Sequence, residues 1–455
     1  MIRSLSFLVF LVLSACATTV PQDTPTRAQI SDSSLPPMKR FGNASPVRPS
    51  RSNSDIAYDF LELSMKLESG REIPVFTRFE TPISVRVTGS PPASLGPDLA
   101  RLIYRLRSEA GIDISLSQSA PANVTIEAVN RADIRRALPQ AACFVVPNVS
   151  SLAEFRANRR SQKTNWATLR SRRKMAIFVP NDASPQEIRD CLHEELAQAI
   201  GPLNDLYRLS DSVFNDDNIH TVLTGFDMLI LRATYAPELR SGMTKAQVAE
   251  RLPAVLSRLN PGGNKPGTGK PSSTPRAWIK AVQSALGPGA GPNTRRRAAK
   301  EALRIAESRG WRDNRLAFSH YIAGRLIQGQ DPIAAFDQFI AADRAYAAIP
   351  GTKLHRAYVA AQIAAYAISD GNGDIALRII DPYLSTASRY ENAALLATLM
   401  LMRAEALDLK GRVSDAESVR VDSLGWARYG FGADWAVRAK MREIAQISPL
   451  QREDG

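Results

Sequence analysis

Histidine and cysteine are scarce in this chain, with four and three copies in 455 residues. Only His193 and His220 fall before residue 260, so a zinc site built mainly from imidazoles cannot be assembled there. Long apolar runs are also missing. Beyond Leu13 no stretch is apolar enough to span a bilayer, which excludes an integral helical bundle and puts everything after it on one side of a membrane. What remains is 44% hydrophobic and 7% aromatic content, enough for two or three domains with packed cores.

The first residues carry a compact signal. Arg3 gives a short positive start, and Leu5 to Leu13 are apolar apart from Ser6. That run is about half of what a membrane-spanning helix needs, so it reads as a secretory signal over 1–15. It closes on Leu13-Ser14-Ala15-Cys16, which resembles the lipobox of bacterial lipoproteins. The resemblance implies a diacylated Cys16 and a protein held to the cell membrane or outer membrane, facing the periplasm. More than one acyl chain gives stable anchoring. The alternative is an ordinary secretory signal cut elsewhere, with Cys16 discarded.

Residues 16–54 are rich in Pro, Ser, Thr and Arg without apolar periodicity, which reads as a disordered tether. A second break, 260–275, runs Asn-Pro-Gly-Gly-Asn-Lys-Pro-Gly-Thr-Gly-Lys-Pro-Ser-Ser-Thr-Pro. It leaves no room for a helix or a central strand, and as a flexible coil it would span roughly 20 Å. The expected organisation is an α+β domain over 55–259 followed by an all-helical domain over 276–450.

Within 55–259, β-rich apolar runs at Ile73–Phe79, Ile83–Val87, Val124–Val129, Cys143–Val146 and Met175–Val179 predict strands. Helical patterns cover Asp98–Arg107 and Ser184–Ile200. The second helix opens with Ser184-Pro185-Gln186-Glu187, in which Ser184 caps, Pro185 suits the first turn and Glu187 completes a capping box. Its apolar stripe is Ile188, Cys191, Leu192, Leu196 and Ala199, and Glu195 falls in the middle of it. An unpaired buried carboxylate costs several kcal/mol. Glu195 is therefore expected to face a cleft, a cation or a hydrogen-bond network.

The segment Cys191–Met243 resembles the metzincin zinc peptidases, whose helix carries H-E-x-x-H-x-x-G-x-x-H. Setting Gly201 on the motif glycine puts Glu194, Gln198 and Asn204 at the three ligand positions, Glu195 at the catalytic glutamate and Asp205 at the acidic residue that follows. Phe214 then stands where the Met-turn methionine would be, while Leu223-Thr224, Asp227 and Tyr235 are similar to the helix that closes such domains. With its Glu-Glu, Gln, Gly-x-x-Asn-Asp and Ser-x-Phe-Asn-Asp, the region also resembles the domain of unknown function 2927 family, read here as degenerate, zincin-like envelope lipoproteins. The resemblance implies a zincin-like fold. It implies activity only weakly, since Gln198 and Asn204 are neutral oxygen donors, poor for zinc and acceptable for calcium or magnesium. In another register His193-Glu194 opens H-E-x-x-H, but the second ligand would be Ala197. The expectation is a pseudo-peptidase that binds; the alternative is a hydrolase with an atypical divalent metal site and Glu195 as its catalytic residue.

Asp211, Asn215, Asp216, Asp217 and Asn218 suit either a hard cation or a set of turns. The formal charge is +13, and Arg156, Arg159, Arg160, Lys163, Arg170, Arg172, Arg173 and Lys174 cluster around Trp166. Outside the cytoplasm this reads as a solvated loop, or as a contact for anionic headgroups or wall polymers, with no nucleic acid as partner. Once Cys16 is lipidated, Cys143 and Cys191 are left to pair in an oxidising compartment or to stand as separate buried thiols.

Over 276–450 the pattern is helical throughout. Gly329, Gly371 and Gly411 are each followed five residues later by alanine, at Ala334, Ala376 and Ala416, a spacing of about forty residues. This is similar to tetratricopeptide repeats, which implies a surface for a protein partner; a generic helical array is the other reading. The combined expectation is a membrane-anchored protein-binding or scaffold component, the rival being an envelope metal-dependent hydrolase.

Overall fold

A computed structural model describes residues 33–42, 47–119, 121–269 and 271–451. The signal segment and Cys16 lie outside the described residues. In the α/β part the elements run α1 Asn53–Ser64, β1 Ile83–Gly89, α2 Leu95–Ala110, β2 Ile114–Leu116, β3 Val124–Val129, α3 Arg131–Ala137, β4 Phe144–Pro147, α4 Leu152–Asn158, β5 Met175–Pro180, α5 Pro185–Ile200, α6 Gly225–Thr234 and α7 Lys245–Leu259. The helices that follow are α8 Arg276–Leu286, α9 Pro292–Ser308, α10 Asn314–Ile327, α11 Pro332–Ala347, α12 Lys353–Ser369, α13 Gly373–Arg389, α14 Ala393–Asp408, α15 Val413–Phe431 and α16 Asp434–Ala445. A mixed α and β part followed by an all-helical part is the arrangement the sequence led us to expect. Among the described residues, no helix is long and apolar enough to cross a membrane.

The sheet has the order β2-β1-β3-β5-β4, parallel except for β4, which pairs antiparallel to β5 at the edge. Both faces are covered. Met175, Ile177 and Val179 of β5 join the main core with α1, α2, α5, α6 and α7, while Ala176 and Phe178 point the other way to Ile134, Phe144, Val146 and Leu152. That explains the unbroken apolar run of β5, since a strand buried on both faces loses the polar alternation.

The run Ile73–Phe79 is not a strand. Ile73, Phe76 and Phe79 are buried in an extended loop, and Phe76 exchanges backbone hydrogen bonds with the Gly242–Met243 turn instead of a neighbouring strand. Pro74 removes one ladder donor from it. The capping box at Ser184 is half formed: the Ser184 hydroxyl accepts from the Glu187 N–H, but the Glu187 carboxylate pairs with Arg131.

Neither low-complexity stretch is wholly a free coil. Within the expected tether, the Lys39 N–H donates to the Gly425 carbonyl, and Phe41 stacks on Trp426 with ring centres 4.5 Å apart. The expected linker is tied to α1, where Asn53 Nδ2 donates to the Asn260 carbonyl (3.0 Å) and the Thr268 N–H to Asp55 (3.1 Å). Arg315, 1% exposed, then holds Ser272 and Thr274 against α10. Polar side chains do here what apolar ones do in a core.

In the helical part each helix packs on its sequence neighbour. Gly371 and Gly411 adopt the left-handed conformation that lets the chain reverse between helices, at φ +73° and +69°. Gly329 does not, and Ala335 rather than Ala334 is fully buried beside it, so the repeat read from the sequence is regular in its last two units only. The two parts share their cores. Tyr207 packs edge-on against Trp278 at 5.0 Å, and Ile219 enters the cluster of α12, α13 and α14.

The junction centres on the α13–α14 turn. Arg189 of α5 is 0% exposed and donates to the Glu391 carbonyl at 2.7 Å, with its other nitrogen 3.5 Å from the Glu391 carboxylate, which also meets Arg101 at 2.6 Å. Gln186 bonds Asn392 and the Ala394 N–H, and the Tyr429 hydroxyl donates to Asp98 at 2.7 Å. Arg189→Ala removes the buried partner of Glu391. We expect the loss of about 3 kcal/mol of stability, the lower end for a broken buried pair because Arg101 remains. Calorimetry should show one transition in the unsubstituted chain and two in the variant; a single unshifted transition would show that the junction does not couple the parts.

Candidate functional site

Helix α5 forms the floor of the site. Its first turn is capped by Ser184, and its last turn is closed by Arg172, which donates to the carbonyls of Gln198 (2.5 Å) and Gly201. A guanidinium there satisfies orphan carbonyls and opposes the negative end of the helix dipole. Arg172 is therefore no part of a solvated basic loop: it is 2% exposed, and burial lowers its pKa to about 10. Of the same stretch, Arg156 pairs with Asp133, and Lys163 and Lys174 with Glu154, whereas Arg159, Arg160, Arg170 and Arg173 are exposed.

The stripe Ile188, Cys191, Leu192, Leu196 and Ala199 faces the main core. Beside it, Cys191 is bonded to Cys143 with the Cα atoms 5.9 Å apart, which staples α5 to the start of β4. Closing a loop of this length is worth about 4 kcal/mol in the chain-entropy account. Glu194, Glu195 and Gln198 line a cleft of about 700 Å³, bordered by the edge strand at Cys143–Val146, by Trp166 and by Glu68, Asp205 and Asp216.

Acidic groups crowd this cleft and outnumber its basic lining, which is Arg159; among the described residues Glu194, Glu195, Asp205 and Asp216 make no ion pair. Glu195 is 5% exposed and its Oε2 has no hydrogen-bond partner. Burial, then Glu194 and Glu68, hold its pKa well above the ordinary carboxylate range. Burial, then Asp216, Glu68 and Asp190, raise Glu194 to about 8. Asp205 rises for the same reasons; it lies within hydrogen-bond reach of Glu68 and accepts from Gln198 Nε2 at 3.4 Å. Asp216 is raised chiefly by burial, with the neighbouring Tyr207 hydroxyl acting the other way. Buried carboxyls that lack a counter-charge keep their protons.

The structure gathers Glu194, Glu195, Gln198 and Asp205, as the motif alignment proposes, and leaves two members out. Asn204 does not line the cleft; its amide donates to the Glu62 carbonyl at 3.0 Å. Phe214 lies fully buried in the main core, where its carbonyl accepts from the Leu206 N–H. The three ligand-equivalent positions therefore do not converge, and they do not fit the metal of the metzincin pattern. Among the described residues, no group of three His, Cys, Asp or Glu side chains is placed to hold a metal ion. The residues at 211–218 are dispersed likewise, with Asp211 on Arg51, Asp217 on Asn215 and His355, and Asp216 on Tyr207. His193 is buried, accepts from the Leu223 N–H at 3.1 Å and is kept neutral by burial and by Arg105, Arg189 and Arg101. Glu68 had no sequence signal, since it sits on an exposed turn more than a hundred residues from α5.

Residues 53–254 match the model of a family described as Protein of unknown function (DUF2927). No curated protein and no solved structure matches the chain.

Carboxyls with raised pKa values set the pH dependence of stability. The folded chain holds protons on Glu194 and Asp190, both raised to about 8, that the unfolded chain has released above the ordinary values of 4.5 and 3.8. Their contribution is complete below those ordinary values and is lost as pH rises through about 8. Thermal melts should therefore show Tm falling between pH 5 and pH 8. Glu194→Gln and Glu195→Gln should flatten that slope and raise Tm at pH 8. A Tm rising over this window would show that the carboxyls are ionised and paired.

Proposed function

We propose that the cleft binds an extended, lysine- or arginine-bearing segment of a protein partner without cutting it, in a protein held at the cell or outer membrane by a lipidated Cys16 and facing the periplasm. The observation that carries this reading is an edge strand, β4, running along a cleft in which Glu194, Glu195, Asp205 and Asp216 make no ion pair among the described residues. An open strand edge recognises a peptide backbone by adding a strand, and pockets beside it select side chains. An ammonium or guanidinium entering the cleft would replace the protons that Glu194 and Glu195 hold.

The helical part belongs to the same reading. The cleft continues into a groove bordered by Lys280 and Gln283 of α8 and by Gly287–Gly291, with Gln140, Asp216 and Asn218 shared between the two. A partner would thus be engaged by the array, tetratricopeptide-like on this view, together with the α/β part. Zincin-like descent accounts for the helix, the glutamate pair and the glycine turn. Absence of cleavage is supported by Gln198 and Asn204 at ligand-equivalent positions and by the turn of Asn204 towards Glu62.

One observation favours a second reading. Glu195 is buried, is pushed well above the ordinary carboxylate range by burial and by Glu194 and Glu68, and carries an unpartnered oxygen, which suits a proton donor in a hydrolase. The two are separated by titrating the purified chain with a ten-residue lysine-rich peptide and a glutamate-rich one, and by following peptide integrity. We expect the basic peptide alone to bind, with protons released and affinity rising from pH 6 to pH 8, and no cleavage. Binding lost in Glu195→Gln without any cleavage supports the binding role, whereas cleavage abolished by Glu195→Gln overturns it. For the anchor, Cys16→Ser should move the protein from the membrane fraction to the soluble one or leave an unprocessed precursor; a wild-type protein found free of membranes would sink that part.

A further inference from the structure

A second cavity lies away from the acidic cleft, at the junction of the two parts. It measures about 120 Å³ and is bordered by Arg105 of α2, by the loop Val222–Phe226, by the Arg389–Tyr390 end of α13 and by the segment Val47–Arg51. That segment lies directly over Gly225, where any side chain would strike the Val47 carbonyl, so glycine at the start of α6 is what lets it close the cavity. A cavity of this order takes a single ring-sized apolar group, as an engineered void of about 150 Å³ takes benzene.

The charges around it are of one sign once the internal pairs are set aside. Arg51 and Arg208 are matched by Asp59 and Asp211, and Arg105 by Glu109. Arg48 and Arg389 make no ion pair among the described residues, and both are exposed at the mouth. Deeper in, Arg105 is 4% exposed and gives Nε and Nη2 to Glu109 and the Leu223 carbonyl, leaving Nη1 buried with no partner. His220 adds no further positive charge, since burial and His355 hold it neutral with a pKa of about 4. A buried guanidinium nitrogen without an acceptor is a costly arrangement unless something supplies one. The apolar and aromatic part of the lining comes from Val222, Leu223, Phe226 and Tyr390, beside the polar Ser210, His220 and Thr224.

We infer that this cavity is a binding site for a small organic carboxylate with a ring-sized apolar body, its carboxylate reached by the guanidiniums of Arg105, Arg48 and Arg389 and its body packed on Phe226 and Tyr390. A guanidinium presents parallel N–H donors that match a carboxylate. Because Arg105 and Phe226 belong to the α/β part and Arg389 and Tyr390 to the helical part, the ligand would touch both and stabilise their junction. The inference is independent of the peptide reading of the acidic cleft.

Benzoate is the probe, with benzyl alcohol as its neutral counterpart and inorganic phosphate as an anion without an apolar body, each titrated into the full chain by calorimetry and thermal shift. Benzoate should bind and raise Tm, benzyl alcohol and phosphate should bind at least tenfold more weakly, and Arg389→Glu or Arg48→Glu should weaken benzoate at least tenfold. Those two arginines are exposed and make no ion pair among the described residues, so the variants keep the fold, which an unchanged Tm without ligand would verify. Benzyl alcohol binding as well as benzoate would overturn the carboxylate, phosphate binding as well would overturn the apolar body, and no binding of benzoate or no effect of either substitution would overturn the site.

Discussion

Enclosure of α5 is the constraint on which the rest of this structure depends. The helix is covered by the sheet and the main core on one side and by the α13–α14 turn and α15 on another, so its polar groups must find partners inside the protein. Most do. Arg172 answers the carbonyls at its end, Gln186 meets Asn392, Arg189 meets Glu391, and His193 accepts from Leu223. Glu195 Oε2 does not, nor does Arg189 Nε, and the glutamate oxygen lies in a cleft where four further carboxyls, those of Glu68, Glu194, Asp205 and Asp216, gather. Among the described residues, Asp205 Oδ1, on the border of the same cleft, is likewise without a hydrogen-bond partner.

The same enclosure takes up part of the surface of the helical array. A free stack of helix pairs offers its concave side to partners, but here the α13–α14 turn is occupied by α2 and α5 of the same chain. Glu391 takes a left-handed backbone, φ +54°, unusual for a residue with a side chain, and both its carbonyl and its carboxylate are used by arginines of the α/β part. Helix α5 thus touches the acidic cleft with one set of residues and the helical array with another, so a change at either surface is felt by a single rigid element.

Some of this was legible in the sequence. The strands at Ile83, Val124, Cys143 and Met175, the cap at Ser184, the end at Gly201 and the burial of Glu195 follow from periodicity and capping, which are properties of a few neighbouring residues. The pairing of Cys143 with Cys191 stood as one of two readings and is the one found. The run at Ile73 failed because apolar alternation signals burial rather than ladder partners, and an extended loop against the core gives the same pattern.

The amino-acid sequence by itself determined the strands at Ile83, Val124, Cys143 and Met175, where α5 begins and ends, and that a carboxylate would sit on its apolar face, because each of these is decided within a turn or two of backbone. Only the tertiary structure decided that Asn204 would turn to Glu62 while Glu68 came to the cleft, that Arg172 would be drawn out of a basic run to close a helix, and that Arg105 would be left with a buried nitrogen that has no partner among the described residues. Those outcomes turn on which charges meet across distances of tens to hundreds of residues. A charged side chain has no periodicity to announce its partner; burial and the partners at hand set its role, and both exist only once the chain has folded.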